Sequence, residues 1–146
     1  ERVSQFYHKE VRDKVRPEAS AIIEQHRQMG DECMLLTSAS SYLSAHFVDA
    51  LHLDGGAWNS FEVIDGYFTG KPLGSLCYGV GKVEYAEKAA LQSGVSLDQC
   101  SFYTDSYSDL PLLERVGNPV VICPDRKLRV EAKRNRWTCL DWSRST

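Results

Sequence analysis

The 146 residues contain no run approaching the roughly 18 continuous apolar residues that a membrane-spanning helix needs. They also lack a basic face. The formal net charge is −3, and the one short concentration of basic residues runs from Arg126 to Arg136, so neither nucleic acid nor an anionic membrane is an expected partner. The five cysteines form no Cys-x-x-Cys pair and no Cys/His cluster at zinc spacing, and three lie in apolar, strand-like runs where buried free thiols are common. An odd number of thiols placed in this way fits a reducing compartment, and a cytoplasmic location is expected. A small molecule or another protein remains as the expected partner.

Several catalytic signatures are missing too. A P-loop needs glycine five residues before its second glycine, but Leu76 and Asp65 hold those positions ahead of Gly81-Lys82 and Gly70-Lys71. Gly79-x-Gly81 stands outside the strand-to-helix context of a dinucleotide fingerprint. Gly-x-Ser-x-Gly is absent, and His8, His26, His46 and His52 fall on helical pattern or just beyond it, which gives no serine-hydrolase arrangement. No Asp-x-Asp occurs anywhere in the chain.

What is present is an alternation of short apolar runs and amphipathic stretches in a chain of single-domain size. Residues 1–15 read as helix by composition. Pro17 opens a second helix over residues 17–29 that Gly30 ends. A strand at 32–37, a serine-rich turn and a helix at 42–51 follow. Asp65-Gly66 between residues 60–64 and 67–69 is a strong hairpin signal. A glycine-rich loop then leads to a helix at 82–92. Strands at 100–104, 120–123 and 137–140 alternate with helices at 109–116 and 125–135. Such alternation predicts an α/β fold, a parallel sheet with helices on both faces, whose ligands bind beyond the carboxyl ends of the strands.

Three places on that rim could do chemistry. Asp105 ends one strand and Asp109 starts the next helix, so two hard carboxylates lie within a turn, a pattern suited to magnesium that keeps waters and binds phosphate oxygens. Ser108 and Asp109 could equally cap the helix. Ser38, with Thr37 before it and Ala39 after it, ends another strand where a hydroxyl and backbone amides could cradle phosphate, although serine at a helix start is common for capping alone. Lys82 opens its helix and could reach a phosphoryl group; a solvated surface lysine is the alternative.

Taken in chain order, Leu35-Leu36-Thr37-Ser38-Ala39-Ser40, Gly81-Lys82 and Tyr103-Thr104-Asp105-Ser106-Tyr107-Ser108-Asp109-Leu110-Pro111-Leu112-Leu113-Glu114 resemble the second, third and fourth motifs of the haloacid dehalogenase superfamily. The likeness is closest to its phosphoserine-phosphatase-like branch. Arg16-Pro17, His26-Arg27 with Gly30, and the stretch from Asn118-Pro119 through Pro124-Asp125 to Trp137 resemble that branch as well. The resemblance implies a Rossmann-like three-layer core and a magnesium-dependent hydrolase of a small phosphorylated metabolite, phosphoserine-like. It further implies that an aspartate on the family's first strand forms an aspartyl-phosphate, while a second aspartate two residues on serves as general acid and base. By the same resemblance Ser38, Lys82 and Asp109 are catalytic. Ser38 would bond a phosphate oxygen, with Thr37 as the fallback hydroxyl and Ala39 beside it. Lys82 would offset phosphoryl charge, Asp105 would bind Mg2+, and Asp109 would bind it through water or orient its ligands.

The first-motif aspartates are the departure from that pattern. In the family their strand comes earlier than every motif found here and lies centrally, between the strands leading to Ser38 and Asp105. The chain is therefore expected to be the carboxyl-terminal part of a phosphatase, with residues 1–15 as the last cap helix and residues 16–146 as an incomplete core. A longer chain, a complementing amino-terminal segment or a dimer would fill the gap, and these residues alone are expected to be inactive. A noncatalytic phosphate- or metal-binding module that has lost its nucleophile is the alternative. A receiver-like signalling domain fits the hairpin and the late Asp-x-x-x-Asp poorly.

Overall fold

The computed structural model describes Gln5, Asp13 and residues 15–142. The cap helix expected over residues 1–15 lies almost wholly outside the described residues. The chain divides into two compact units, one reaching Cys77 and the other spanning Tyr78–Trp142.

In the first unit Pro17 sits at the start of α1 (Pro17–Gln28), where its missing N–H costs nothing, and Gly30, at φ +86°, carries the chain out of the helix. β1 (Met34–Ser40), α2 (Ser41–Ala50) and β2 (Gly55–Asn59) make a crossover in which β1 and β2 pair in parallel. β2 is absent from the sequence reading, and its composition shows why: Gly55 and Gly56 remove strand propensity. Gly56 is nonetheless required, because a Cβ there would meet the Leu35 carbonyl oxygen at 2.5 Å. β3 (Phe61–Ile64) and β4 (Tyr67–Pro72) form the expected hairpin. Asp65 (φ +51°) and Gly66 (φ +81°) adopt the doubly left-handed turn that matches strand twist.

The second unit opens with α3 (Val80–Gln92), which buries Val83 and Ala90. A 3-10 turn at Leu97–Gln99, closed by reciprocal Ser96 and Gln99 capping, leads to β5 (Ser101–Thr104). A second 3-10 turn, Tyr107–Asp109, runs into the short α4 (Leu110–Leu113). The helix expected to continue to residue 116 is shorter because the chain must reach β6 (Asn118–Ile122) through Gly117, whose N–H donates to the Leu97 carbonyl at 3.0 Å. α5 (Arg126–Asn135) is capped by Asp125, whose Oδ1 accepts from the Leu128 amide at 2.8 Å, and the left-handed Arg136 turns the chain into β7 (Thr138–Leu140). β5, β6 and β7 pair in that order, parallel throughout, over a core of Leu113, Val121, Leu128 and Ala132 with Phe102 and Trp137 packed against it. Among the described residues, β1 has a ladder partner only in β2, and β5 only in β6.

Candidate active site

β5 ends at Thr104, and the next five residues are tied together by short hydrogen bonds. Thr104 Oγ1 donates to Asp109 Oδ2 at 2.6 Å and accepts the Ser106 N–H at 3.1 Å. The Asp109 amide returns to the Ser106 carbonyl at 3.1 Å, and the Ser106 and Ser108 hydroxyls meet at 2.7 Å. This folding of the chain onto itself withdraws Asp109 to 2% exposure while Asp105 stays at the surface.

Lys82 comes to the same carboxylate from the first turn of α3. Gly79, at φ +52° and ψ −125°, supplies the sharp entry into that helix, a conformation that favours glycine. Lys82 Nζ stands 2.8 Å from Asp109 Oδ1, and the two side chains are only 10% and 3% exposed. The approach lies outside hydrogen-bonding angles, so Oδ1 is buried beside a cation yet accepts no hydrogen bond. Neither bland alternative describes these side chains. Lys82 is not a solvated surface lysine, and Asp109, at the amino end of α4, makes no side-chain cap bond.

Asp105 and Asp109 are the residues here that could hold a metal. Among the described residues no three His, Cys, Asp or Glu side chains converge on one point, so a cage made wholly of protein ligands does not fit. The exposed Asp105 carboxylate does fit a hard cation that keeps several waters and takes phosphate oxygens, as Mg2+ does, whereas Asp109 Oδ1 already faces the Lys82 ammonium.

Thr37, Ser38 and Ala39 belong to the first unit, at the end of β1. The strand runs through Ser40 and α2 starts at Ser41, so Ser38 lies inside the strand's last turn of chain instead of at the helix start. Thr37 Oγ1 accepts the Ala39 N–H at 3.1 Å, and the Ser38 carbonyl accepts from Asn59 Nδ2 at 2.8 Å. Ser38 itself is exposed. Sequence reasoning missed Thr104 and Asn59. Thr104 carries a usable signal, a hydroxyl residue between an apolar strand and an aspartate; Asn59 carries none.

Residues 1–114 match the family described as haloacid dehalogenase-like hydrolase, and the chain belongs to that family. It is 32% identical over 138 residues to a phosphoserine phosphatase of Mycobacterium tuberculosis, covering 94% of this chain and 45% of that protein. A crystal structure of a Bordetella pertussis protein of unknown function superposes with a TM-score of 0.86 at 28% identity, covering 95% of this chain and 64% of that one. A substrate-bound phosphoserine phosphatase shares the fold with a TM-score of 0.69 at 22% identity, over 84% of this chain and 56% of that one. The chain spans about half the length of the curated relatives it matches.

Proposed function

We propose that the chain carries the phosphate- and metal-binding side of a Mg2+-dependent phosphomonoester hydrolase acting on a small phosphorylated metabolite. The observation that carries this reading is the buried Lys82–Asp109 pair at the carboxyl end of β5, beside the exposed Asp105. An ammonium has three N–H donors. The Asp109 carboxylate, itself held by Thr104, fixes where that ammonium sits, so Lys82 is ready to offset charge on a phosphoryl group without reorganising. In this reading Ser38 donates to a phosphoryl oxygen from the end of β1. Asp105 would hold Mg2+, with Asp109 orienting its shell; when bound, the cation supplies electrostatic stabilisation of the phosphoryl oxygens.

The nucleophile belongs to residues not in this sequence, which has no Asp-x-Asp. A preceding or complementing segment would supply it, and an aspartyl-phosphate would form there. Phosphoserine enters as a substrate class through the names of the relatives. The five free thiols fit the reducing cytoplasm that the reading assumes. Among the described residues no helix is long and apolar enough to cross a membrane.

The missing Asp-x-Asp favours one second reading, a noncatalytic module that binds phosphate or metal. Both readings predict that the chain binds Mg2+ through Asp105, that Ser38 and Lys82 each contribute to binding inorganic phosphate, and that alone the chain does not turn over an aryl phosphate. Mg2+-dependent hydrolysis of p-nitrophenyl phosphate by the chain, abolished in Asp105→Asn, would overturn both. Rescue of hydrolysis by an added segment bearing Asp-x-Asp decides for the enzyme.

A further inference from the structure

The β1–β2 ladder is regular from Met34↔Gly55 to Leu36↔Ala57, then slips and resumes at Ser40↔Asn59. Thr37, Ser38 and Ala39 thus occupy the space opposite Trp58 alone, an irregularity of the kind that turns a strand's side chains toward a site. Backbone groups taken out of a ladder still need partners. The Ala39 N–H finds Thr37 Oγ1 at 3.1 Å, and the Ser38 carbonyl finds Asn59 Nδ2 at 2.8 Å. Asn59 is only 8% exposed, and its other amide atom, Oδ1, accepts the Cys77 N–H at 2.7 Å. Cys77 is fully buried, and its thiol donates to the Ala57 carbonyl, two residues before Asn59 on β2.

We propose that Asn59 is the positioning residue of Ser38: its side-chain amide replaces the ladder bond lost at the slip and fixes the Ser38 peptide, so that the exposed hydroxyl is held ready for a phosphoryl oxygen. The inference rests on the reading of Ser38 as a phosphate-binding residue. The chemistry requires an amide of this length. Its nitrogen must donate to a carbonyl while its oxygen accepts an N–H, and Asn offers both on one short planar group. Aspartate would set a second acceptor against the Ser38 carbonyl, leucine would leave both backbone groups unpaired, and glutamine would carry the amide one methylene too far. The two partners also fix the amide's orientation, since a flip would place oxygen against oxygen and nitrogen against nitrogen. Through Oδ1 the same residue anchors the main chain at Cys77, shortly before Lys82 in the sequence.

The test uses the whole chain, 15N-labelled, titrated with inorganic phosphate and separately with Mg2+. In wild type the Ser38 amide and the Asn59 side-chain NH2 resonances should shift on phosphate addition with one shared Kd. Asn59→Ala, with its remaining amide spectrum preserved, should weaken phosphate binding about tenfold, the expected effect of losing one buried, well-placed hydrogen bond. Its Mg2+ affinity should be unchanged, a split that general loosening of the fold would not give. Ser38→Ala should weaken phosphate to a similar degree, and Asn59→Ala/Ser38→Ala should add little more. Wild-type phosphate affinity in a folded Asn59→Ala, or an Asn59 NH2 resonance that stays still while Ser38 moves, overturns the proposal; the second readout needs no variant to fold. Unchanged phosphate affinity in Ser38→Ala overturns instead the reading of Ser38, and the role of Asn59 falls with it.

Discussion

Replacing Lys82 by methionine keeps most of the side-chain volume and removes the charge that faces Asp109. At 2.8 Å and an effective dielectric of about 20, the Coulomb attraction of the pair is about 6 kcal/mol. Bringing each ion out of water costs several kcal/mol, which cancels much of that gain. The pair is therefore expected to contribute little net stability while each partner depends strongly on the other. Lys82→Met leaves a carboxylate at 3% side-chain exposure with only Thr104 to serve it, and Asp109→Leu leaves a buried ammonium. Either single change should cost about 3–5 kcal/mol.

The double variant Lys82→Met/Asp109→Leu removes both charges and should unfold within about 1–2 kcal/mol of wild type. A double-mutant cycle from urea unfolding would then give a coupling of at least about 3 kcal/mol. Phosphate binding behaves differently, because the double variant recovers stability without recovering the ammonium, so its phosphate affinity should remain as poor as that of Lys82→Met. Single variants that each cost under about 1 kcal/mol and simply add would refute the buried pair, and with it the view that Asp109 fixes Lys82.

Gly117→Ala should be among the most damaging small substitutions in the chain, since its Cβ would fall 1.7 Å from the Asp98 carbonyl oxygen, a backbone atom that cannot swing aside; circular dichroism on heating should show a lost or much earlier transition. Asp125→Ala removes the acceptor of the Leu128 amide and should cost about 1 kcal/mol by urea unfolding, with Asp125→Ser recovering most of it. Burial, then the Asp54 and Asp31 carboxylates, raise the Cys33 thiol above its ordinary value of 9.0, against a smaller opposing effect of Arg27. A raised folded pKa gives stability that is complete below the ordinary value and is lost as pH rises past it, so wild type should lose more stability than Cys33→Ser between pH 8 and 10.5. Equal losses in the two proteins would show that the thiol does not titrate differently on folding.

Elements whose signals are local were legible in the sequence. Asp65-Gly66 names its own turn because both residues tolerate positive φ, and Pro17 and Asp125 mark helix starts through chemistry confined to one turn. β2 was illegible for the converse reason. Its Gly56 answers to the Leu35 carbonyl on a neighbouring strand, so the close approach that builds the ladder erases the composition by which a strand is recognised. The candidate site divides along the same line. Asp105, Asp109 and Lys82 could be picked out by order and spacing, but whether Lys82 was solvated and whether Asp109 merely capped a helix depended on a contact between α3 and the turn after β5, which spacing does not encode. Asn59 is the limiting case. Nothing within its own strand calls for an amide, and its two partners, the Ser38 carbonyl and the Cys77 N–H, lie 21 and 18 residues away on either side. A residue whose function is to replace a missing backbone bond can be recognised only where that bond is seen to be missing, and here that place is the slip in the β1–β2 register.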